Sequence, residues 1–254
     1  MSATIDEAVK QYAIRLGDDA LILGHRLSEW CGFGPFLEED LALTNVALDF
    51  VGRARMFYSY AAELAMNEAT EDTYAYHRDI REFSNLLMCE LPNGDFAFTV
   101  VRQYFVDLYS LAFMQALQNS SDLALAAIAA KALKESNYHV RRSYDWMLRL
   151  GDGTEESNRR MQKAVEDLWG YVPELFELDE LEQQLVERGI AVDTAQIREG
   201  WYATVRATLA EATLSEPDGD WSVRGGRQGI HTENLGHILS EMQFLQRAYP
   251  GQQW

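Results

Sequence analysis

The chain has 254 residues, of which 47% are hydrophobic and 24% charged, and its formal net charge is -18. A chain of this length and composition can bury a substantial core. Its negative charge opposes attraction to the phosphates of nucleic acids and to anionic lipid surfaces. We therefore expect neither nucleic acid nor a membrane as a partner.

The N-terminal segment and the cysteines indicate the compartment. The start, MSATIDEAVK, has no basic stretch followed by an apolar run, and the longest apolar run, residues 123–130, is too short to span a bilayer. Cys31 and Cys89 belong to no CxxC motif and no Cys/His cluster, which predicts reduced, buried and inert thiols. We therefore expect a cytoplasmic protein.

Apolar residues recur at spacings of three and four along nearly the whole chain, without the alternation typical of strands. The pattern predicts an all-α protein. The predicted helices cover about residues 5–31, 37–66, 71–90 in shorter pieces, 96–118, 123–150, 154–171, 179–188, 194–214 and 232–248. The turn GFGP separates the first two long helices, and Asp95 is placed to cap the third. Because no linker marks a boundary, we expect a single domain over residues 1–254.

Four of the predicted helices are long, and they form two antiparallel pairs. Such a bundle can hold a metal between facing helices. Each long helix carries one polar residue among apolar neighbours: Glu29, Asp49, Asp107 and His139. Carboxylate and imidazole groups are suitable ligands for iron, and one such group per helix is the layout of a di-iron cage. Ordinary surface or paired carboxylates are the alternative interpretation.

The spacing around these residues is incomplete for a di-iron cage. Ferritin-like di-iron proteins take a Glu-x-x-His pair from each of two helices. Gly52 stands three residues after Asp49, where a histidine is required, and Ser136 stands three residues before His139, where a carboxylate is required. Two of the six ligands are therefore missing.

Glu135 is the nearest substitute for the missing carboxylate. It stands one residue too early, which turns its side chain by about 100° around the helix. Its spacing from Lys131 favours a surface ion pair instead. A cage that keeps carboxylates without a metal needs another positive charge, and Arg26, Arg53 and Arg142 are the candidates in sequence.

Four segments carry a resemblance to a known family. They are RLSEWCGFGPFLEEDLALTNVALDFVGRARMFYSYAAEL, RQYFVDLYSLAFMQAL, KESNYHVRRSYDWM and TENLGHILSEMQFLQRAYPGQQW. The chain resembles the C subunits of the bacterial ring 1,2-phenylacetyl-CoA epoxidases over nearly its whole length, and the C-terminal segment is the most specific. The resemblance implies a ferritin-like helical bundle of four long helices with additional shorter helices.

The resemblance also implies a function. The family member is a structural, non-catalytic subunit of a multicomponent oxygenase that epoxidises the aromatic ring of phenylacetyl-CoA in aerobic phenylacetate degradation. It carries no cofactor and no catalytic or metal-binding residue: the vestigial ligand positions are Glu29, Asp49, Asp107 and His139, and ligands are lost at Gly52 and Ser136. The di-iron centre is expected in a homologous catalytic subunit, and flavin and an iron-sulfur cluster in an NADPH-dependent reductase.

Two interpretations remain open for the role of the chain. The first is the structural subunit, with the catalytic di-iron subunit and other subunits of the complex as partners and a homodimer as an open alternative. The second is a di-iron carboxylate oxygenase with an unusual ligand set that includes Glu135. For the partner surface we expect the aromatic faces of residues 55–64 and 100–114, with burial in the core as the alternative. Apart from the loop VRGGRQG, residues 223–229, the arginines are scattered, so no coenzyme A pocket is assigned.

Overall fold

The computed structural model describes residues 5–65, 67–219 and 221–252. All regular elements in these ranges are helices, with no strand among them, which confirms the predicted all-α class. The chain forms two compact units, one made of residues 1–92 with 225–254 and the other of residues 93–224. The expectation of a single domain over residues 1–254 stays a prediction. None of the helices in the described ranges is long and apolar enough to cross a membrane.

The first unit is built on an antiparallel pair of long helices, α1 (Ile5–Ser28) and α2 (Leu37–Ala65). Glycines on α1 bring the two helices close together. A Cβ atom at Gly17 would lie 2.4 Å from Cε1 of Tyr58, so only glycine leaves room for that ring. Small residues at such positions let two helices approach closely, and the interface between α1 and α2 is well packed for this reason.

The turn between α1 and α2 differs from the sequence prediction. Helix α1 ends at Ser28 and not near Cys31. The carboxylate of Asp40 on α2 accepts hydrogen bonds from the backbone N–H groups of Gly32 and Gly34, at 2.7 and 3.1 Å. These bonds to the next helix fix the turn, so the end of α1 depends on a contact that local periodicity does not reveal.

Four shorter helices complete the first unit. They are α3 (Glu71–Tyr76), α4 (Leu87–Glu90), α10 (Glu233–Met242) and α11 (Phe244–Ala248). The sequence predicts one helix over residues 232–248, but the structure breaks it at Gln243. The buried amide of Gln243 donates to the carbonyl oxygens of Ala75 and Arg78, at 3.1 and 3.0 Å. These bonds anchor the C-terminal helices to the segment that follows α3.

The second unit is built on another antiparallel pair, α5 (Phe96–Leu117) and α6 (Leu123–Gly151). Asp95 accepts a hydrogen bond from the backbone N–H of Phe98 at 2.9 Å, which confirms it as the cap of α5. Asp122 caps α6 in the same way. A capping side chain satisfies N–H groups that have no partner within the helix, so both helices start where the sequence predicts.

Three more helices pack in the second unit: α7 (Glu155–Trp169), α8 (Glu180–Val186) and α9 (Thr194–Glu211). Trp201 of α9 donates its indole N–H to the carbonyl oxygen of Phe105 at 3.1 Å. The ring of Phe105 also contacts Trp169 edge-on, with ring centroids 5.8 Å apart. This aromatic core holds α7 and α9 against α5.

Candidate functional site

Glu29 lies just beyond the end of α1, and its side chain is 45% exposed. Its Oε1 atom is 2.7 Å from Nη1 of Arg26, while the same guanidinium donates through Nε and Nη2 to the carbonyl oxygen of Glu90, at 3.0 and 2.9 Å. Arg26, one of the three candidate arginines, therefore offsets the charge of Glu29. The apolar environment expected for Glu29 is wrong, because the early end of α1 places it at the surface.

Asp49 and Gly52 lie on α2. Asp49 is half-buried, whereas Gly52 is exposed. A Cβ atom built on Gly52 would meet no heavy atom within 4 Å. The missing histidine is thus a property of the sequence and not a result of crowding. The second candidate arginine, Arg53, is buried, with its guanidinium 4.8 Å from the centroid of the Phe50 ring.

Asp107 and His139 lie on the antiparallel helices α5 and α6, and both are buried. The hydroxyl oxygens of Ser110 and Ser136 are 3.4 Å apart across the same pair of helices. Asp107 precedes Ser110 by three residues and His139 follows Ser136 by three, so the same register sets Asp107 level with His139. Of the candidate positions on this unit, the structure thus places Asp107 and His139 in one layer.

The position expected to supply the sixth ligand is closed by packing. Ser136 is fully buried. Its hydroxyl meets Ser110, so this position carries a neutral group where di-iron proteins have a carboxylate. Glu135 is half-buried, with Oε2 shielded from solvent, and is not the solvated surface carboxylate that its spacing from Lys131 favours. Within the described residues, no three His, Cys, Asp or Glu side chains are grouped so that they could hold a metal ion. The residues present do not fit a di-iron centre.

Comparison with known proteins assigns the chain. Residues 1–254 match the family described as Phenylacetic acid catabolic protein. The chain is also 54% identical over 243 residues to the C subunit of 1,2-phenylacetyl-CoA epoxidase from Escherichia coli (strain K12), an alignment that covers 96% of this chain and 98% of that relative. The chain belongs to the phenylacetic acid catabolic protein family. This family is helical and ferritin-like, which confirms the predicted fold class.

This member of the phenylacetic acid catabolic protein family carries a buried polar cluster that the sequence analysis missed. Asp18 on α1 is fully buried, and its Oδ1 atom accepts hydrogen bonds from the hydroxyl of Tyr58, at 2.6 Å, and from Arg78. Its Oδ2 atom accepts from the backbone N–H of Ser84 at 2.8 Å. Burial alone lowers the pKa of Arg78, but Asp18 and Tyr58 outweigh it and raise that pKa. The cluster keeps both charges and joins α1 to residues 78–84.

Two further buried pairs join the C-terminal segment of the first unit to its N-terminal part. Arg227 donates through Nη1 and Nη2 to the carboxylate of Asp19, at 3.0 and 2.8 Å. His231 pairs with Glu90 at 2.8 Å. Sequence spacing has no means of linking residues that are more than 100 positions apart. The only available signal was the specificity of the C-terminal segment in its resemblance to the family.

The aromatic faces expected to bind a partner are core. Phe57 and Tyr58 of α2 and Tyr104 and Phe105 of α5 are all buried, so the expectation that these faces anchor a partner is wrong. Large exposed apolar side chains occur elsewhere on α2. We call this set the α2 stripe: Leu37, Leu41, Leu48 and Val51, which are between 37% and 69% exposed. On a helix these positions fall on one face.

Proposed function

We propose that this chain is the structural, non-catalytic subunit of a multicomponent phenylacetyl-CoA 1,2-epoxidase in aerobic phenylacetate degradation. In this role it supports a homologous di-iron catalytic subunit. The observation that carries the proposal is the 54% identity, over nearly the full length of both chains, to a protein named as the C subunit of that epoxidase. The cytoplasm is the compartment in which such a complex has its reducing cofactors and its coenzyme A ester.

The non-catalytic role is supported by the ligand positions. Gly52 offers no donor atom, and the hydroxyl of Ser136 is a neutral group inside the helix pair. In the proposed complex the di-iron centre belongs to the catalytic subunit, and flavin and an iron-sulfur cluster belong to the reductase that takes electrons from NADPH. This chain supplies none of the three.

Anaerobic iron loading tests the non-catalytic role against the alternative of a catalytic di-iron chain. We expect the purified chain, loaded with ferrous iron and then desalted, to retain less than about one iron atom per two chains, because the six-ligand set is incomplete. Two tightly held iron atoms per chain, with an oxo-bridge charge-transfer band after oxidation, would establish the alternative.

The α2 stripe supports a permanent interface. Helix α2 already buries one apolar face, which includes Val46, Phe50 and Phe57, against its own unit. The α2 stripe lies on a different side of the same helix, over about 21 Å between Leu37 and Val51 at 1.5 Å per residue. A helix that is apolar on more than one side is typical of a buried helix. The chain alone leaves this second face in solvent, so we assign it to a partner.

The turn before α2 extends this surface. Phe33 and Phe36 are both exposed, at 78% and 47%. Asp40 holds the backbone of the turn through its bonds to Gly32 and Gly34. A Cβ atom on Gly34 would lie 2.7 Å from the Cα of Asp40, so glycine is required for this close turn. Exposed aromatic residues on a rigid turn lose little conformational freedom on binding, which suits them as interface anchors.

Charge distinguishes a different chain from a second copy as the occupant of the stripe. Each copy of this chain carries a net charge of -18, so two copies repel each other at long range. A homologous catalytic subunit with less negative charge near its interface meets no such cost. We therefore propose the catalytic subunit as the partner, with a homodimer as the alternative outcome.

Co-expression with the catalytic subunit of the same organism tests the interface. We expect the two chains to co-elute in size-exclusion chromatography, and Leu48→Glu to abolish the co-elution because it places a charge in the middle of an apolar interface. Leu123→Glu is the matched control, since Leu123 is a leucine that is 84% exposed at the start of α6 in the second unit. We expect this control to leave the complex intact.

Activity completes the test. We expect ring epoxidation of phenylacetyl-CoA to require this chain, the catalytic subunit and the reductase together. Full activity without this chain would contradict the proposed function. Co-elution that survives Leu48→Glu would contradict the α2 stripe as the interface but leave the function standing.

A further inference from the structure

The second unit carries an open cavity of about 690 Å³ beside α9 that the proposed function does not use. Its chemically distinctive lining consists of three arginines and three aromatic residues. We call it the arginine groove: Arg198, Arg206, Arg224, Trp169, Tyr202 and Trp221. Ligand sites of proteins commonly have volumes of about 300–1,000 Å³ and a few convergent polar groups, so the size of this cavity suits a ligand of several rings.

Two of the three arginines are organised around one ring on α9. Arg198, Tyr202 and Arg206 follow each other at intervals of four residues and share one face of the helix. The guanidinium carbons of Arg198 and Arg206 lie 5.7 and 5.4 Å from the centroid of the Tyr202 ring. Contacts of this kind attract the cation to the ring. They hold two positive charges at the wall of the groove.

The ion pairs of the groove leave positive charge available. Arg206 pairs with Glu216 through Nε and Nη2, at 2.5 and 2.9 Å, and Arg224 pairs with Glu177. The ion pairs among the described residues do not include Arg198, which contacts Tyr202. A bound anion can therefore use Arg198 directly and can compete with Glu216 for Arg206.

The net charge of -18 does not remove this local preference. Charges farther than about 8 Å from a bound anion are largely screened at physiological ionic strength. Within that distance the guanidinium groups of the groove dominate. Arginine also presents a planar pair of N–H donors that matches two oxygens of a phosphate.

An aromatic wall lies beside these charges. Trp221 is 49% exposed, and its ring packs on Gly170, where a Cβ atom would lie 2.1 Å from Cζ3 of the indole. The backbone N–H of Val223 donates to the carbonyl oxygen of Gly170 at 2.9 Å, and Tyr171 meets the indole edge-on at 6.0 Å. These contacts fix the indole while leaving part of it open to solvent. An aromatic side chain in this setting suits stacking with a planar base.

We propose that the arginine groove binds the adenine diphosphate group of a nucleotide. The base stacks on Trp221, and the phosphates bind Arg198, Arg206 and Arg224. This group occurs in coenzyme A and its esters and also in nicotinamide dinucleotides, so the shared chemistry has two sources. The loop VRGGRQG supplies one of these arginines only, because Arg227 of the same loop is paired with Asp19 in the first unit. The proposal rests on the groove and is independent of the proposed function.

Isothermal titration calorimetry of the full chain with ADP, coenzyme A and NADPH tests this proposal. We expect all three to bind, and adenosine and pyrophosphate, each with half of the group, to bind at least about tenfold more weakly. The tighter of coenzyme A and NADPH identifies the source. No heat with ADP, coenzyme A or NADPH at about 1 mM would overturn the proposal, since that range covers even weak sites.

Two variants with opposite expected signs locate the binding. Arg198→Ala should weaken ADP binding by about tenfold, the usual loss for one charged hydrogen-bonding group. Glu216→Gln should strengthen it by about fivefold, because it releases Arg206 and removes a negative charge. A gain in affinity does not arise from a damaged fold, so this variant decides even if Arg198→Ala folds poorly. Arg141→Ala, at an exposed arginine of α6, is the matched control.

The remaining outcomes also decide. ADP binding that neither variant changes would place the nucleotide elsewhere and overturn the proposal. Binding of a glutamate-rich peptide without any binding of ADP would identify the groove as a site for an acidic protein segment, and this too would overturn it. Co-elution with the catalytic subunit should not change in Arg198→Ala, so failure here is separate from failure of the proposed function.

Discussion

His231 and Glu90 form a buried pair in which both ring nitrogens of the histidine face an acceptor. Nδ1 lies 2.8 Å from Oε2 of Glu90, and Nε2 lies 2.8 Å from the carbonyl oxygen of Phe83. Glu90 also accepts from the side chain of Asn85 at 2.9 Å and from the backbone N–H of Thr232 at 2.6 Å. A carbonyl oxygen only accepts, and an ionised carboxylate only accepts. The geometry therefore calls for a doubly protonated, positively charged His231.

The pKa of His231 makes the stability of the first unit depend on pH. Burial alone lowers this pKa, but the hydrogen bonds to Glu90 and to the Phe83 carbonyl outweigh it, and the pKa rises above the ordinary 6.5. A histidine whose pKa is raised by folding stabilises the fold fully below its unfolded pKa and loses that contribution as pH rises through the folded pKa. We expect the free energy of unfolding, from denaturant titrations, to fall as pH rises above about 6.5.

Two variants assign this pH dependence to the pair. His231→Gln should lower the free energy of unfolding by about 3 kcal/mol at about pH 6, because it leaves Glu90 without its charged partner, and should flatten the profile above about pH 6.5. His237→Gln, at an exposed position of α10, is the control and should preserve the profile. Burial lowers the pKa of His25, so His25 acts below about pH 6.5 and does not enter this window. A profile that stays unchanged in His231→Gln would contradict the assignment.

Gly52 and Ser136 should respond oppositely when the missing ligands are restored. Gly52→His should leave the free energy of unfolding unchanged or raise it by a few tenths of a kcal/mol, because the site is open and glycine is a weak helix former. Ser136→Glu should lower it by at least about 3 kcal/mol, because a larger and charged group enters a closed position. Ser136→Ala is the control, with an expected loss below about 1 kcal/mol. Thermal and denaturant unfolding measure all three, and equal effects at Gly52 and Ser136 would contradict the described burial.

Gly151 and Gly200 provide a second matched pair. A Cβ atom on Gly151, at the end of α6, would lie 2.3 Å from the carbonyl oxygen of Ala212, and this backbone atom cannot move aside easily. Gly151→Ala should therefore lower the free energy of unfolding by about 2 kcal/mol. Gly200 lies in α9 with no heavy atom within 4 Å of a Cβ atom, so Gly200→Ala should raise it by up to about 1 kcal/mol. The same sign for both variants would contradict the close approach of α6 and Ala212.

The two cysteines should differ in reactivity. Both are free thiols, but Cys31 is exposed in the turn after α1 and Cys89 is buried in α4. The prediction of two buried, inert thiols is therefore wrong for Cys31. In the native protein we expect one thiol to react rapidly with a thiol reagent such as Ellman's reagent and the second only after unfolding. Cys31→Ser should remove the rapid reaction, and a rapid reaction that persists in this variant would show that Cys89 is accessible.

The sequence by itself determined the helices and the family. Residues that face the core recur at the helical period, and capping residues such as Asp95 act on the N–H groups next to them, so both signals are local. The same local spacing placed Gly52 and Ser136 where ligands are missing. The quoted segments were specific enough for a resemblance that the 54% identity confirmed.

Only the tertiary structure decided which face of a helix is covered and which charges meet. Helix α2 is apolar on more than one side, so its periodicity could not tell the buried Phe57 from the exposed Leu48. Glu29 followed the core spacing but came to the surface, because Asp40 of the next helix holds the turn that ends α1. Arg227 and His231 find Asp19 and Glu90 more than 100 residues away, and no local pattern encodes such a contact, because a charge is satisfied by any partner that the fold brings near.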